Sequence, residues 1–286
     1  MKVLLAGYNV DSTVIEELKK QGPPRDDVTP ETLSASYARI SRDPRPIDEL
    51  RAVARAEVER ARRSNQNIIF KMGHHSVAEH AVFNFDIIGV SRLALEEIER
   101  FRLCSYTEKS QRYVTLKDDF VLPEEIKSAG MESQFVRTIR AQNALYHELY
   151  AKLKPYMFAR HPKMAENPKK HAVLNGWAKE DARYIVSLAT KGQAGMTLNA
   201  RNLEFLIRRL AAKELSELRE LNQKMYELAK EVAPSIILFT EASDYDARTY
   251  DELEEYVKTS EAGVLAEEED TVRLVDHTRD ADDRLV

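Results

Sequence analysis

Residues 99–113 read ERFRLCSYTEKSQRY, and we interpret the rest of the chain as the scaffold that holds this stretch. Arg100 and Arg102 flank one aromatic residue, and Ser110 follows after seven intervening residues, with Arg112 close behind. Guanidinium groups bind phosphate oxygens in pairs, and hydroxyl groups add hydrogen bonds. The spacing alone leaves two interpretations of these arginines equally open. They could form a phosphate site, or they could be ordinary solvated or ion-paired arginines.

The composition indicates a globular protein with a strongly charged surface. The chain has 286 residues, of which 43% are hydrophobic and 32% charged, enough for one large domain or two small ones. Its net charge of -5 argues against a dedicated nucleic-acid-binding protein, because phosphate backbones select basic surfaces. Cys104 is the single cysteine, so no internal disulfide can form. We find no stretch of ~18 apolar residues and expect a cytoplasmic protein without a membrane partner.

Apolar periodicity predicts long helices and few strands. The predicted strands cover residues 3–5 and 81–88, and the predicted helices cover residues 12–20, 29–41, 47–64, 90–101, 124–157, 179–188 and 199–232. The last helix would span about 50 Å at ~1.5 Å per residue, which exceeds what a small monomer buries and therefore suggests packing between subunits. Residues 114–122 and 160–171 are predicted to be irregular.

The domain prediction is one domain over residues 1–243 and an acidic extension over residues 244–286. The extension contains the acidic runs 267–270 and 280–283, and a short strand is predicted at 272–275.

Two other groups of residues could suggest chemistry. His74, His75 and His80 lie near Glu79, but their spacing does not match a helical HExxH motif, so we expect structural histidines and no metal. Cys104 has apolar neighbours and is expected to fill space in the core rather than to act as a nucleophile.

Five separated segments carry a family resemblance in the correct order. They are GHHSVAEHAVFNF (73–85), VSRLALEEIERFR (90–102), SYTEKSQRY (105–113), DARYIVSL (181–188) and TLNARNLEFLIRRLAAKELSELRE (197–220). Together they resemble the flavin-dependent thymidylate synthases, whose signature is Arg-His-Arg, seven residues, then Ser. The same frame here is Arg100-Phe101-Arg102, seven residues, then Ser110, and the resemblance covers roughly residues 33–234.

The resemblance implies the fold, the reaction and the partners. The expected fold is α/β, with long helices around a small, mostly antiparallel sheet, assembled as a homotetramer whose active sites take residues from several subunits. The expected reaction is the FAD-dependent reductive methylation of dUMP to dTMP, with methylenetetrahydrofolate and NADPH as co-substrates. In such chemistry the cofactor carries out the redox step and the protein positions the reactants.

The resemblance also implies roles for individual residues. Those expected to contact the flavin are Ser41, Ser76, Glu79, Arg100, Phe101, Arg102, Leu103, Thr107, Glu108 and Asn199. Those expected to contact the nucleotide are Glu97, Arg100, Glu108, Ser110, Gln111, Arg112, Arg183 and Arg209, of which Ser110, Arg183 and Arg209 are expected to be catalytic.

Several positions depart from the family pattern. Phe101 replaces histidine, Glu97 replaces glutamine, Thr107 replaces asparagine, Ser187 replaces proline, and Glu214-Leu215 replaces Ala-Gln. Phenylalanine can stack but cannot hydrogen-bond, and a carboxylate at 97 would repel a phosphate or a uracil carbonyl unless it is neutralised or protonated. Three readings stay open: a dUMP methylase, a paralogue that modifies another pyrimidine nucleotide, and a non-catalytic subunit that binds flavin or nucleotide.

Overall fold

In a computed structural model of the protein, the described residues are 1–18, 20, 26–40, 43–110, 112–117 and 119–260. Ser41 and Gln111, expected at the flavin and the nucleotide, lie outside these residues, as does the strand predicted at 272–275. Contacts divide the chain into Met1–Ala242 and a second unit that begins at Ser243. The described part of the second unit contains one helix, Asp244–Ser260.

A four-stranded sheet forms the centre of the first unit. Its strands are β1 (Lys2–Tyr8), β2 (Val82–Ser91), β3 (Ser105–Glu108) and β4 (Lys191–Asn199), and their order is β1-β2-β4-β3 with antiparallel pairing throughout. Side chains alternate between the two faces of a strand, so β2 places Phe83 and its alternate neighbours in the core. The predicted small antiparallel sheet is confirmed.

Helices of the first unit surround this sheet, and one further helix belongs to the second unit. They are α1 (Ser12–Leu18), α2 (Glu31–Arg39), α3 (Ile47–Ala56), α4 (Val58–Asn65), α5 (Arg92–Glu99), α6 (Glu124–Ser128), α7 (Glu132–Arg160), α8 (Pro162–Ala165), α9 (His171–Ala182), α10 (Ala200–Ala211) and α11 (Ser216–Val232), with α12 (Asp244–Ser260) in the second unit. Short 3₁₀ segments lie at His75–His80, Pro168–Lys170 and Arg183–Ile185, and a π-helical turn lies at Gln66–Lys71. Apolar faces of α5, α10 and α11 share one core cluster with the sheet.

The single long helix predicted over residues 199–232 is wrong. Asn199 ends β4 and caps α10, where its Oδ1 accepts the backbone N–H of Asn202 at 2.9 Å. The chain leaves the helical conformation between α10 and α11, where Leu215 is extended. The steps of three and four continue across this break, so periodicity alone does not reveal it. Neither α10 nor α11 has the length from which subunit packing was predicted.

Other helix boundaries also differ from the predictions. The helix predicted over 47–64 is interrupted at Glu57, which has φ -129° and ψ 61°. The helix predicted over 124–157 is interrupted at Gly130, whose φ of +67° is the left-handed conformation that ends many helices. The loop predicted over 160–171 contains α8, which begins at Pro162, where proline is favoured. The helix predicted over 179–188 instead ends at Ala182.

Candidate active site

The start of α5 is held firmly where β2 ends. Ser91 caps the helix, since its Oγ accepts the backbone N–H of Ala94 at 3.0 Å. Glu217 of α11 accepts the backbone N–H of Ser91 at 2.7 Å and its hydroxyl at 2.5 Å. Both side chains are buried, so this contact fixes the first residue of α5, Arg92, against the core.

A cleft of about 540 Å³ opens beside this junction. It is lined by Arg92, Glu108, Ser110, Arg112, Arg183, Tyr184, Val186, Ser187 and Leu188. Four of these residues, Glu108, Ser110, Arg112 and Arg183, were expected from the sequence at the nucleotide. The fold thus brings residues from two distant sequence segments to one open surface.

The cleft is rich in guanidinium groups that remain accessible to solvent. Arg92 forms an ion pair with Glu108. Nη1 of Arg112 and Nη2 of Arg183 each lie 3.7 Å from the same Oε1 atom of Glu180. The side chains of Arg112 and Arg183 are 48% and 35% exposed, so an entering anion can reach both.

Helix α9 supports the loop that carries Ser110 and Arg112. Nζ of Lys179 donates a hydrogen bond to the backbone oxygen of Tyr113 at 3.1 Å. Oγ of Ser110 accepts the backbone N–H of Arg112 at 3.2 Å, which closes a local turn. The position of this loop therefore depends on contacts both within the turn and with α9.

Apart from Ser187, four cleft residues were not identified from the sequence, namely Arg92, Tyr184, Val186 and Leu188. Arg92 directly follows β2 and is the first residue of α5. This place at a strand-to-helix junction is the sequence feature that could have pointed to it. Tyr184 follows the expected Arg183 and is 85% exposed. Ser187, which replaces the family's proline, accepts the backbone N–H of Ala189 at 3.1 Å and so keeps a turn at this position.

Several residues expected at the flavin lie toward the other end of β4. Asn199 ends this strand, whereas Glu108 pairs with Ala194, five residues earlier, or about 17 Å along the strand at ~3.3 Å per residue. Near Asn199, Glu79 forms an ion pair of 2.5 Å with Arg201. Within one chain, the residues around Asn199 and the nucleotide cleft therefore do not form a single compact site.

Of the exposed flavin candidates, Arg102, Leu103 and Thr107 lie on or just before β3, whereas Ser76 lies in the 3₁₀ segment His75–His80. The side chains of Ser76, Arg102, Leu103 and Thr107 are exposed, and the backbone oxygen of Leu103 accepts a hydrogen bond from Nδ2 of Asn202 at 2.8 Å. Hydroxyl groups, an amide and a guanidinium can serve the phosphates and polar ring atoms of FAD. The chemistry of these side chains therefore fits such a cofactor.

Comparison with known proteins supplies the family. The model of the family described as "Thymidylate synthase complementing protein" matches residues 26–235. The chain belongs to this family. A flavin-dependent thymidylate synthase of Clostridium tetani is 30% identical over 214 residues, which cover 74% of this chain and 82% of the relative. The resemblance recognised from the sequence motifs is thereby confirmed.

Two solved structures share the fold. ThyX from Helicobacter pylori, complexed with FAD and dUMP, has a TM-score of 0.52 and 16% identity, covering 84% of this chain and 100% of the other. PolB from Streptomyces cacaoi, a UMP/dUMP methylase bound with 5-Br dUMP, has a TM-score of 0.53 and 17% identity. The match covers 87% of this chain and 94% of PolB. At these identities, the likeness supports the fold alone.

Glu97, which departs from the family's glutamine, is neutralised by two cations. Its Oε1 lies 2.7 Å from Nη1 of Arg100, and its Oε2 lies 2.9 Å from Nζ of Lys213. The Glu97 side chain is 16% exposed, whereas that of Arg100 is 60% exposed. The repulsion expected of a carboxylate at this position is thus opposed within the fold.

Phe101, which departs from the family's histidine, lies in the core of the chain. It is 3% exposed, and its ring contacts that of Phe205 edge to face, with the centroids 5.5 Å apart. The guanidinium carbon of Arg209 lies 5.9 Å from the centroids of both rings. The burial of Phe101 therefore gives no support to the expectation that it lines the flavin, and Arg209 is not among the residues that line the nucleotide cleft.

Titration of nearby groups is governed mainly by burial. Burial, together with the charge of Glu108, raises the pKa of Glu99. Burial also raises the pKa of the Cys104 thiol, whose Sγ lies 3.2 Å from the backbone oxygen of Thr197. A raised pKa disfavours the thiolate, so Cys104 has the character of a packing residue.

Two of the three histidines in residues 74–80 make ring contacts. The ring of His80 meets Tyr37 with the centroids 4.5 Å apart, and that of His75 meets Phe70 at 6.0 Å. Within the part of the chain that the structure describes, no group of three or more histidine, cysteine, aspartate or glutamate side chains is placed to hold a metal ion. Among the same residues, no helix has the length and apolar character needed to cross a bilayer.

Proposed function

We propose that the protein is an FAD-dependent enzyme that methylates dUMP reductively to dTMP, with methylenetetrahydrofolate as carbon donor and NADPH as reductant. The observation that carries this proposal is the cleft that gathers Ser110, Arg112 and Arg183 beside Arg92. The Clostridium tetani relative is named for this activity, and the Helicobacter pylori protein is complexed with FAD and dUMP.

The residues of the cleft would bind and orient the nucleotide. Guanidinium forks suit a phosphate monoester, and the Ser110 hydroxyl supplies a further hydrogen bond. Glu108 holds Arg92 at the wall of the cleft, and Arg183 lines the same opening. A nucleotide held in a fixed orientation has already lost its translational and rotational entropy on binding. Less entropy is then lost on reaching the transition state, and this contributes to the rate.

The flavin would be held by residues on and just before β3 and at the end of β4. Arg102 offers a cation for its phosphates, while Thr107 and Asn199 offer polar groups for its ring or ribose. When bound, FAD supplies the hydride chemistry, and the protein supplies position and electrostatics.

We also propose a homotetramer in which one chain contributes the nucleotide cleft and another contributes flavin-binding residues. The separation of about 17 Å between Asn199 and the partner of Glu108 on β4 supports a shared site. Mixing two inactive variants, Arg112→Ala and Asn199→Ala, should restore part of the activity, because some mixed sites would then be intact. Failure of the mixture to recover any activity would contradict a shared site, and light scattering would report the mass of the assembly.

A second nucleotide substrate is the alternative. Ser187, where the family pattern has proline, lines the cleft, and the Streptomyces cacaoi neighbour is a UMP/dUMP methylase. A change in this wall could admit a ribonucleotide, so UMP belongs in the same assay.

The decisive experiment begins with the absorbance spectrum of the purified protein, with and without added FAD. The protein is then incubated with methylenetetrahydrofolate, NADPH and either dUMP or UMP, and the product is identified by mass. We expect a flavin spectrum and dTMP from dUMP. A protein that takes up no FAD would refute the enzyme proposal, and a methylated product from UMP alone would favour the alternative.

A further inference from the structure

We infer that Lys213 is a positioning residue that offsets the charge of Glu97 and thereby keeps Arg100 available to an anionic ligand. This inference rests on the proposed function in one respect, namely that Arg100 serves FAD or dUMP. It concerns an ion bridge between α5 and the connection that joins α10 to α11.

The bridge uses both oxygens of one carboxylate. Oε1 of Glu97 faces Arg100 at 2.7 Å, and Oε2 faces Lys213 at 2.9 Å. Because each oxygen has its own cation, Arg100 engages Glu97 through one of its amino groups rather than through a two-oxygen fork.

The backbone of Lys213 is fixed on both sides. Its N–H donates to the backbone oxygen of Leu210 at 3.1 Å, and its own oxygen accepts a hydrogen bond from Nε of Arg219 at 2.9 Å. The lysine side chain is 30% exposed, less than the 60% of Arg100. Lys213 is therefore the more enclosed partner of Glu97, and Arg100 is the one open to a ligand.

Charge explains why the second cation matters. A second carboxylate, Glu96, lies 3.8 Å from Nη2 of Arg100. With Lys213 present, two cations face two carboxylates. Without Lys213, the group formed by Arg100, Glu96 and Glu97 would carry a net negative charge that repels phosphate. The freed Oε2 of Glu97 could also draw Arg100 into a bidentate pair.

The test measures Lys213→Met in two backgrounds, the native one and Glu97→Gln. Calorimetric titration with dUMP and fluorescence titration with FAD report affinity without requiring turnover. In the native background we expect Lys213→Met to weaken the binding of one of these ligands about tenfold. In the Glu97→Gln background we expect the same change to weaken it less than about twofold, because the charge that Lys213 offsets is gone. Equal losses in both backgrounds would overturn the inference, since Lys213 would then act on the ligand directly or through the fold.

Three further measurements keep the result specific. Lys213→Arg retains the charge and should bind as the native protein does. Lys152→Met removes another ion-paired lysine, which lies 2.6 Å from Glu148 on α7, and should leave both affinities unchanged. Thermal unfolding of every variant identifies any that do not fold. Failure of the proposed function would appear as absence of dTMP, whereas failure of this inference would appear as equal losses in the two backgrounds.

Discussion

Two arginines of the cleft, Arg112 and Arg183, come from separate segments and yet share one carboxylate oxygen of Glu180 on α9. The family resemblance implied nucleotide contacts for Ser110, Arg112 and Arg183, and the fold brings these residues to one cleft. This sharing holds the guanidinium groups of Arg112 and Arg183 near each other before any ligand binds.

Arg112→Ala should weaken dUMP binding without affecting the unphosphorylated nucleoside. A hydrogen bond to a charged group contributes about 1.5–3 kcal/mol, so we expect the Kd for dUMP to rise roughly 10- to 100-fold. Calorimetric titration with dUMP and with deoxyuridine measures both effects. Arg137→Ala, which removes an exposed arginine of α7, is the matched control and should change neither affinity. Equal weakening of both ligands would show that Arg112 does not recognise the phosphate.

Asp11 should make stability depend on acid pH. Burial would raise its pKa, but a hydrogen bond from the backbone N–H of Thr13 and an ion pair of 2.7 Å with Arg55 outweigh burial and lower it below 3.8. A lowered folded-state pKa stabilises the protein above the unfolded pKa, and this contribution disappears as pH falls through the folded value.

Asp11→Asn should therefore lower the free energy of unfolding at pH 7, and the difference from the native protein should shrink as pH falls below about 4. Urea unfolding of both proteins at a series of pH values measures this difference in the free energy of unfolding. Asp86→Asn, an exposed change on β2, is the control and should show a much smaller difference at every pH. A difference that stays constant from pH 7 to acid would rule out the ionised Asp11 as its source.

Some features of individual residues could not be read from the sequence. Arg92 is visible as a helix-initial residue, but its partner Glu108 is fixed by the pairing of β3 with β4. The burial of Phe101 depends on Phe205, which is distant in sequence. Such contacts arise from tertiary packing, which local patterns do not contain.

At the scale of elements, β3 and β4, the strands that frame the site, are the main elements that the sequence analysis did not predict. The buried face of strand β4 begins with Gly192 and Ala194, and large apolar residues follow only at Met196 and Leu198, so the usual apolar alternation shows in only half of the strand. Strand β3 has four residues and reads as a polar loop. By contrast, β2 has large apolar residues at alternate positions and was recognised.

The small residue at position 192 has a physical reason, which leads to a prediction. A Cβ atom at Gly192 would lie 2.4 Å from Cδ1 of Leu95, and Leu95 is fully buried on α5. Gly192→Ala should therefore destabilise the protein by about 1–3 kcal/mol, the usual cost of overpacking a core. Gly195→Ala lies in the same strand with no atom within 4 Å of the new Cβ and is the matched control. Chemical denaturation compares them, and equal stability of both variants would mean that Leu95 moves away without cost.

At the scale of the whole molecule, the net charge of -5 is an average of two unlike portions. Residues 244–286 carry 15 acidic and 5 basic side chains, whereas residues 1–243 carry 33 acidic and 38 basic ones. The portion that contains the proposed site is therefore basic, as suits anionic substrates.

Residues 1–243 should fold without the acidic extension. Among the residues that the structure describes, the hydrophobic core cluster extends to Ile237, and every site residue expected from the sequence precedes position 243. A chain truncated after residue 243 should keep the midpoint and the cooperativity of thermal unfolding, and its excess of basic residues should let it bind a cation exchanger at pH 7.

Truncation after residue 233 is the matched control for this experiment. It removes Ser235, whose backbone N–H and hydroxyl each donate to the buried Glu31 at 2.6 Å, together with the buried Ile236 and Ile237. Loss of these groups would leave one oxygen of Glu31 without its donors and would expose the core, so we expect this shorter chain to unfold or aggregate. If the chain that ends at residue 243 behaves in the same way, the acidic extension is part of the folded unit, and the proposed boundary is wrong.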